Sequence, residues 1–210
     1  ADQMISISDN TATDHLLHFV GRAEVEAYMA SLTDEPTVNR PFLATMEMFR
    51  IKLNPDRTFV NAWNAGGEDA RRELIEPDAD AMQHKINLLL VGNWRMPIAI
   101  DTLEWFASPR ELCRVMADLH RLEQLEGMDA LGHALRINPG AAFVSRWVSV
   151  GYKGGSEPGV INLTWLLERD DGRWFAMSLG WNDTKAPVDT NRAVRLATQA
   201  SSLLALEGDS

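Results

Sequence analysis

At 210 residues, 45% hydrophobic and 24% charged, the chain can bury a sizeable core and has the make-up of a globular protein of one domain or one two-lobed unit. Its formal charge of -10, with basic residues scattered singly, lacks the positive patch of a nucleic-acid binder, and that partner class is excluded. No stretch is apolar for long enough to span a bilayer, lone Cys113 makes neither a disulfide nor a metal cluster, and His15, His18, His84, His120 and His133 lack metal-ligand spacing, so no metal or other cofactor is expected.

In chain order, Met4, Ile5 and Ile7 make an apolar approach to the polar triplet Ser8-Asp9-Asn10, which taken alone reads first as a helix N-cap and also suits a short turn presented from a packed base. Helical spacing then runs from Thr13 to Val20, stopped by Gly21, and from Glu24 to Leu32. Pro36 breaks the pattern, and Thr45 is placed to cap a segment through Leu53. Asn61 to Gly67 reads as a loop, and helical patterns resume over Asp69 to Ile75 and Ala79 to Val91. Ser108-Pro109-Arg110-Glu111 has the form of a capping box with proline in the first turn, predicting a helix from Pro109 to about Leu122. Met128 to Ile137 is a further helix, stopped by Asn138-Pro139-Gly140.

The periodicity then changes. Phe143 to Tyr152, Val160 to Leu167 and Trp174 to Trp181 are rich in Val, Ile, Trp and Phe and are bounded by turn residues, so three consecutive strands are predicted. Arg169-Asp170-Asp171-Gly172 makes a hairpin turn between the last two, and Asp189 to Leu206 closes the chain as an amphipathic helix. The predicted fold is α+β: a helical lobe over residues 1–140, then an antiparallel three-stranded meander and a terminal helix over residues 141–210.

Two motifs carry the chemistry. Ser8-Asp9-Asn10 and Lys153-Gly154-Gly155, the latter on the first strand, resemble in order and in setting the S-D-N and K-T-G motifs of class A β-lactamases and penicillin-recognising serine enzymes. The resemblance runs over the whole chain, read as one β-lactamase-like catalytic domain over residues 1–210. It implies acyl transfer on a cyclic or D-Ala-D-Ala amide, with a small β-lactam or peptidoglycan-like substrate and a periplasmic or secreted location. By the same resemblance, Ser8 passes a proton to the departing nitrogen and Asn10 holds the acyl-amide. Lys153 biases Ser8 and attracts the substrate carboxylate, Ser156 gives a backbone N–H to the oxyanion, and Gly155 lets substrate lie against the strand.

Three departures qualify the resemblance. Gly154 replaces the hydroxyl residue of K-T-G. Glu35, Glu47 and Glu104 are rival general bases, and none is assigned. The S-x-x-K motif is missing, because the residues three before the four lysines are Phe49, Met82, Val150 and Asn182. The expectation is a chain lacking an N-terminal part. Alternatives are a D,D-peptidase of the same fold and a non-catalytic module that kept it. If strands that should pair with Trp174 to Trp181 are missing, that edge is unpaired and the chain should self-associate. A monodisperse monomer in light scattering would count against that expectation.

Overall fold

The structure is a computed structural model describing residues 1–86 and 91–208. The chain divides into two compact units, one holding residues Ala1–Asp9, Ala107–Asn182 and the stretch from Val188, the other Asn10–Phe106 with Asp183–Pro187.

The first unit is built on an antiparallel sheet of three strands in the order β1-β2-β3, namely β1 (Trp147–Glu157), β2 (Val160–Arg169) and β3 (Trp174–Asn182). Central β2 is buried on both faces. Ile161, Leu163, Trp165 and Leu167 enter one cluster, joined by Tyr152, Phe175, Met177 and by Ala193 and Ala197 of the terminal helix Thr190–Leu204. Leu166 points the other way, into a cluster with Met116 and Leu135. These two come from helices Pro109–Glu123 and Asp129–Arg136, which pack on the sheet. Sequence reading groups both helices with the helical lobe; in the structure they belong to the sheet unit.

The alternation behind this two-faced packing would fail at Trp147 but for a register shift between Trp147 and Ser149. Val148 is the extra residue, 61% exposed, and the bulge lets Trp147 point into the terminal-helix cluster while Ser149 points to the opposite face. β1 therefore begins later than the expected Phe143. Phe143 lies outside the strand and packs edge-on against Trp165, which explains its apolar character without a ladder position.

The second unit is helical: Asn10–Val20, Arg22–Leu32, Thr45–Lys52, Thr58–Ala65, Glu68–Leu74 and Asp80–Gln83. The predicted loop from Asn61 is instead the second half of helix Thr58–Ala65. Val60 and Trp63 are buried in a cluster with Met48, Ile51 and Leu103, and Phe59 packs against it, while Asn61 and Asn64 face solvent. The helix expected over Ala79 to Val91 is confined to Asp80–Gln83, and residues 87–90 of that expectation lie outside the described residues. Thr45 is the first helical residue rather than the cap. Its N–H and that of Met46 donate to the Asp14 carboxylate at 2.6 and 2.9 Å, so the next helix start is satisfied by a side chain from Asn10–Val20.

Buried Arg169 ties the end of the terminal helix to β2. Its Nη1 donates to the carbonyls of Ala205 at 3.1 Å and Glu207 at 2.7 Å, and Nη2 pairs with Asp171 at 2.5 Å. Removing that guanidinium takes away the hydrogen bonds of a fully buried side chain, so Arg169→Met should lower stability by about 2 kcal/mol. Arg173→Met, at a solvent-facing arginine that also reaches Glu207, should cost less than about 1 kcal/mol. Urea unfolding midpoints of the two variants check the ranking.

Candidate active site

Ser8 is held by a five-residue helix, Asp2–Ser6. A helix this short is not stable by itself. It is anchored where Ile5 packs against the cluster of Met116, Leu135 and Leu166, and where Asn138 Nδ2 donates to the Ser6 carbonyl at 2.8 Å. The chain then folds back, Asp9 N–H donating to Gln3 O at 3.1 Å, and Ser8 between them takes φ of 55°. That left-handed conformation costs a non-glycine residue roughly 1–2 kcal/mol, and it leaves the hydroxyl on an exposed residue.

Lys153 reaches Ser8 from β1. Its Nζ lies 2.6 Å from Ser8 Oγ, joining segments 145 residues apart, and it also donates to the Gly154 carbonyl. Burial holds the Lys153 ammonium below the ordinary lysine pKa. Register sets Lys153 across from Thr164, whose hydroxyl is 2.9 Å from Ser178 Oγ, so the sheet face that carries the lysine is polar at this level. Sequence reasoning missed this floor. Its signal was present: Asn162, Thr164 and Ser178 alternate with apolar residues in strands otherwise dominated by them.

Gly155 and Ser156 follow on β1 and are both exposed. A Cβ placed on Gly155 would meet no atom within 4 Å, so the space in front of it is open. Gly154 is different: a Cβ there would run into the Tyr152 hydroxyl, and one on Gly140 would sit 2.6 Å from the same ring. Tyr152 lies on Trp165 with ring centroids 5.2 Å apart. The ring fills the place of a middle side chain in the Lys-Gly-Gly triplet, which is why the expected hydroxyl residue is glycine here.

Two of the rival glutamates are engaged structurally in the second unit. Glu47 accepts from the Ala44 N–H at 2.7 Å, closing the start of helix Thr45–Lys52, and pairs with Arg22 at 2.6 Å. Glu104 pairs with Lys52, whose side chain is fully buried. Glu35 is exposed, and Asn10 opens helix Asn10–Val20 of the second unit.

An antiparallel sheet between helices, with a Lys-Gly-Gly strand pairing its lysine to a serine held ahead of a helix, defines the β-lactamase and transpeptidase class of fold. The sequence matches the Beta-lactamase enzyme family over residues 1–205, and the chain belongs to that family. The structure is similar to that of a β-lactamase from Sphaerobacter thermophilus DSM 20745, at 20% identity and TM-score 0.51, covering 97% of this chain and 59% of that one. It is also similar to the TLA-1 extended spectrum β-lactamase, at 14% identity and TM-score 0.56, covering 97% of this chain and 61% of that one. The chain thus spans less than two thirds of the length of either structure. A search of curated proteins finds no match.

Two outcomes follow from this geometry. Gly154→Thr should destabilise the chain by about 1–3 kcal/mol through overpacking against Tyr152, and Tyr152→Ala should remove most of the added cost. A double-mutant cycle in urea measures the coupling. Lys153 has a native pKa below its unfolded value near 10.5, so the native state loses stability as pH falls from that value through the lowered one. Lys153→Met removes this linkage, and its urea midpoint should gain on wild type as pH is lowered from 10.5 to 7.

Proposed function

We propose that the whole protein is a serine hydrolase of the class A β-lactamase type, acylated by and hydrolysing β-lactam amides in the periplasm or outside the cell. The observation that carries this reading is the 2.6 Å contact between Lys153 Nζ and Ser8 Oγ, in a chain of the Beta-lactamase enzyme family.

Opening a β-lactam requires that the departing nitrogen gain a proton as the acyl bond forms. Ser8 is suited to deliver that proton, because its hydroxyl already shares a hydrogen bond with an amine that can reload it. The Lys153 charge favours an anionic substrate carboxylate, and the open space before Gly155 leaves room for substrate along β1. The Ser156 N–H is carried as an oxyanion donor and Asn10, two residues beyond Ser8, as the amide-holding residue, both on the family pattern. The nucleophile is assigned to no residue of this chain. β3 is a sheet edge among the described residues, and we carry self-association through it as part of this reading.

In the whole protein, Ser8→Ala should lower kcat/KM for a chromogenic cephalosporin by about 10²–10⁴, the usual worth of a positioned proton donor. The 210-residue chain by itself should show no penicilloyl mass after incubation with a penicillin. A stoichiometric penicilloyl adduct on this chain, abolished by Ser8→Ala, would overturn the assignment of Ser8 as proton carrier.

A further inference from the structure

A hydroxyl that can pass a proton to an amine can also attack once that proton has left. We propose that Ser8 and Lys153 form a self-contained nucleophile and base, through which this chain accepts activated acyl and phosphonyl groups on Ser8 Oγ without a second serine. The inference goes beyond the β-lactamase reading and does not depend on it, since it uses only contacts within the sheet unit.

Geometry supplies the parts. Lys153 Nζ is 2.6 Å from Ser8 Oγ, within reach for direct proton transfer. As a neutral amine it keeps a donor for the Gly154 carbonyl and turns its lone pair to the Ser8 hydroxyl. Lys153 makes no ion pair with a carboxylate among the described residues, so no anion holds the ammonium form in place. Burial acts in the same direction, lowering the pKa of the amine. Ser8 is exposed and fixed at φ of 55° by the backbone bonds around Gln3, a strained residue whose hydroxyl is open to a small molecule.

With an alkyl fluorophosphonate the step balances as follows. Ser8 Oγ forms a bond to phosphorus, the P–F bond breaks, fluoride leaves, and the hydroxyl proton passes to neutral Lys153 Nζ as an ammonium proton. Such an electrophile carries its own leaving group, so it needs an activated oxygen but no proton delivered to nitrogen. A β-lactam needs both, and Ser8, which carries the proton to the lactam nitrogen in the β-lactamase reading, is here the attacker. This is why the chain should react with the first and not with the second.

The test is to incubate the purified 210-residue chain with an ethyl fluorophosphonate probe and follow adduct formation by intact mass and peptide mapping. The expected result is one adduct per chain, on Ser8, formed at least about 10²-fold faster than on exposed Ser31, whose hydroxyl donates to the Tyr28 carbonyl. Lys153→Met should slow labelling of Ser8 by about 10²-fold. Lys153→Arg should do the same, because a guanidinium keeps the charge but does not give up its proton. The arginine variant decides the matter if the methionine variant fails to fold. Labelling of Ser8 no faster than of Ser31, or undiminished labelling in Lys153→Arg, would overturn the proposal. Neither result bears on whether the whole protein hydrolyses a cephalosporin, so the two readings fail separately.

Discussion

The sheet unit depends on a single strand, β2, being buried on both of its faces. Strand side chains alternate, so the parity of β2 decides which layer each neighbour enters: Trp165 and Leu167 face the terminal helix, Leu166 the helices at Pro109–Glu123 and Asp129–Arg136. β1 is registered on β2 with Lys153 across from Thr164. A slip of one residue would turn Lys153 to the Trp165 side and bring Tyr152 to the polar one, exchanging a cation for an aromatic ring in both places. The position of the lysine is therefore a consequence of hydrophobic packing several residues away. The bulge at Val148 serves the same end, restoring parity for Trp147 without disturbing the register beyond Ser149.

The serine depends on the same core by a different route. Its helix is too short to persist alone, and Ile5 lends it stability by entering the cluster built on Leu166. One hydrophobic cluster thus seats both ends of the pair: Leu135 and Leu166 lie at 3.4 and 3.5 Å from a Cβ on Gly151, two residues before Lys153, and pack with Ile5, three before Ser8. Tyr152 settles the remaining variable. Packed on Trp165 and flanked by Gly140 and Gly154, it explains through sterics a departure that the motif alone leaves as a missing hydroxyl.

What was legible in the sequence was local chemistry. Ser108-Pro109-Arg110-Glu111 encodes a helix start in adjacent residues, and in the structure Ser108 Oγ accepts from Glu111 N–H while Glu111 accepts from Ser108 N–H. The three strands and their hairpin turn were legible for the same reason. Helix Thr58–Ala65 was not, because Asn61, Gly66 and Gly67 look like loop residues and only the burial of Val60 and Trp63 by distant Leu103 outweighs them. The serine and lysine motifs were recognisable as short words, but that their side chains touch is a tertiary fact. Glu104 stood as a rival base because its partner Lys52 is 52 residues away.

Two buried or half-buried lysines in this acidic chain show how environment separates structure from chemistry. Lys52 is fully buried, and the Glu104 carboxylate beside it, together with the face of Trp94 at 5.5 Å, compensates the loss of water around its charge. Lys153 is desolvated too, yet its partners are a hydroxyl and a carbonyl, both neutral. No carboxylate in that set favours the ammonium form over the neutral amine. In a chain of net charge -10, carboxylates are the commonest charged partners available, and Lys153, which makes no ion pair with one among the described residues, sits instead beside a strained serine, the arrangement on which the proposed proton transfer rests.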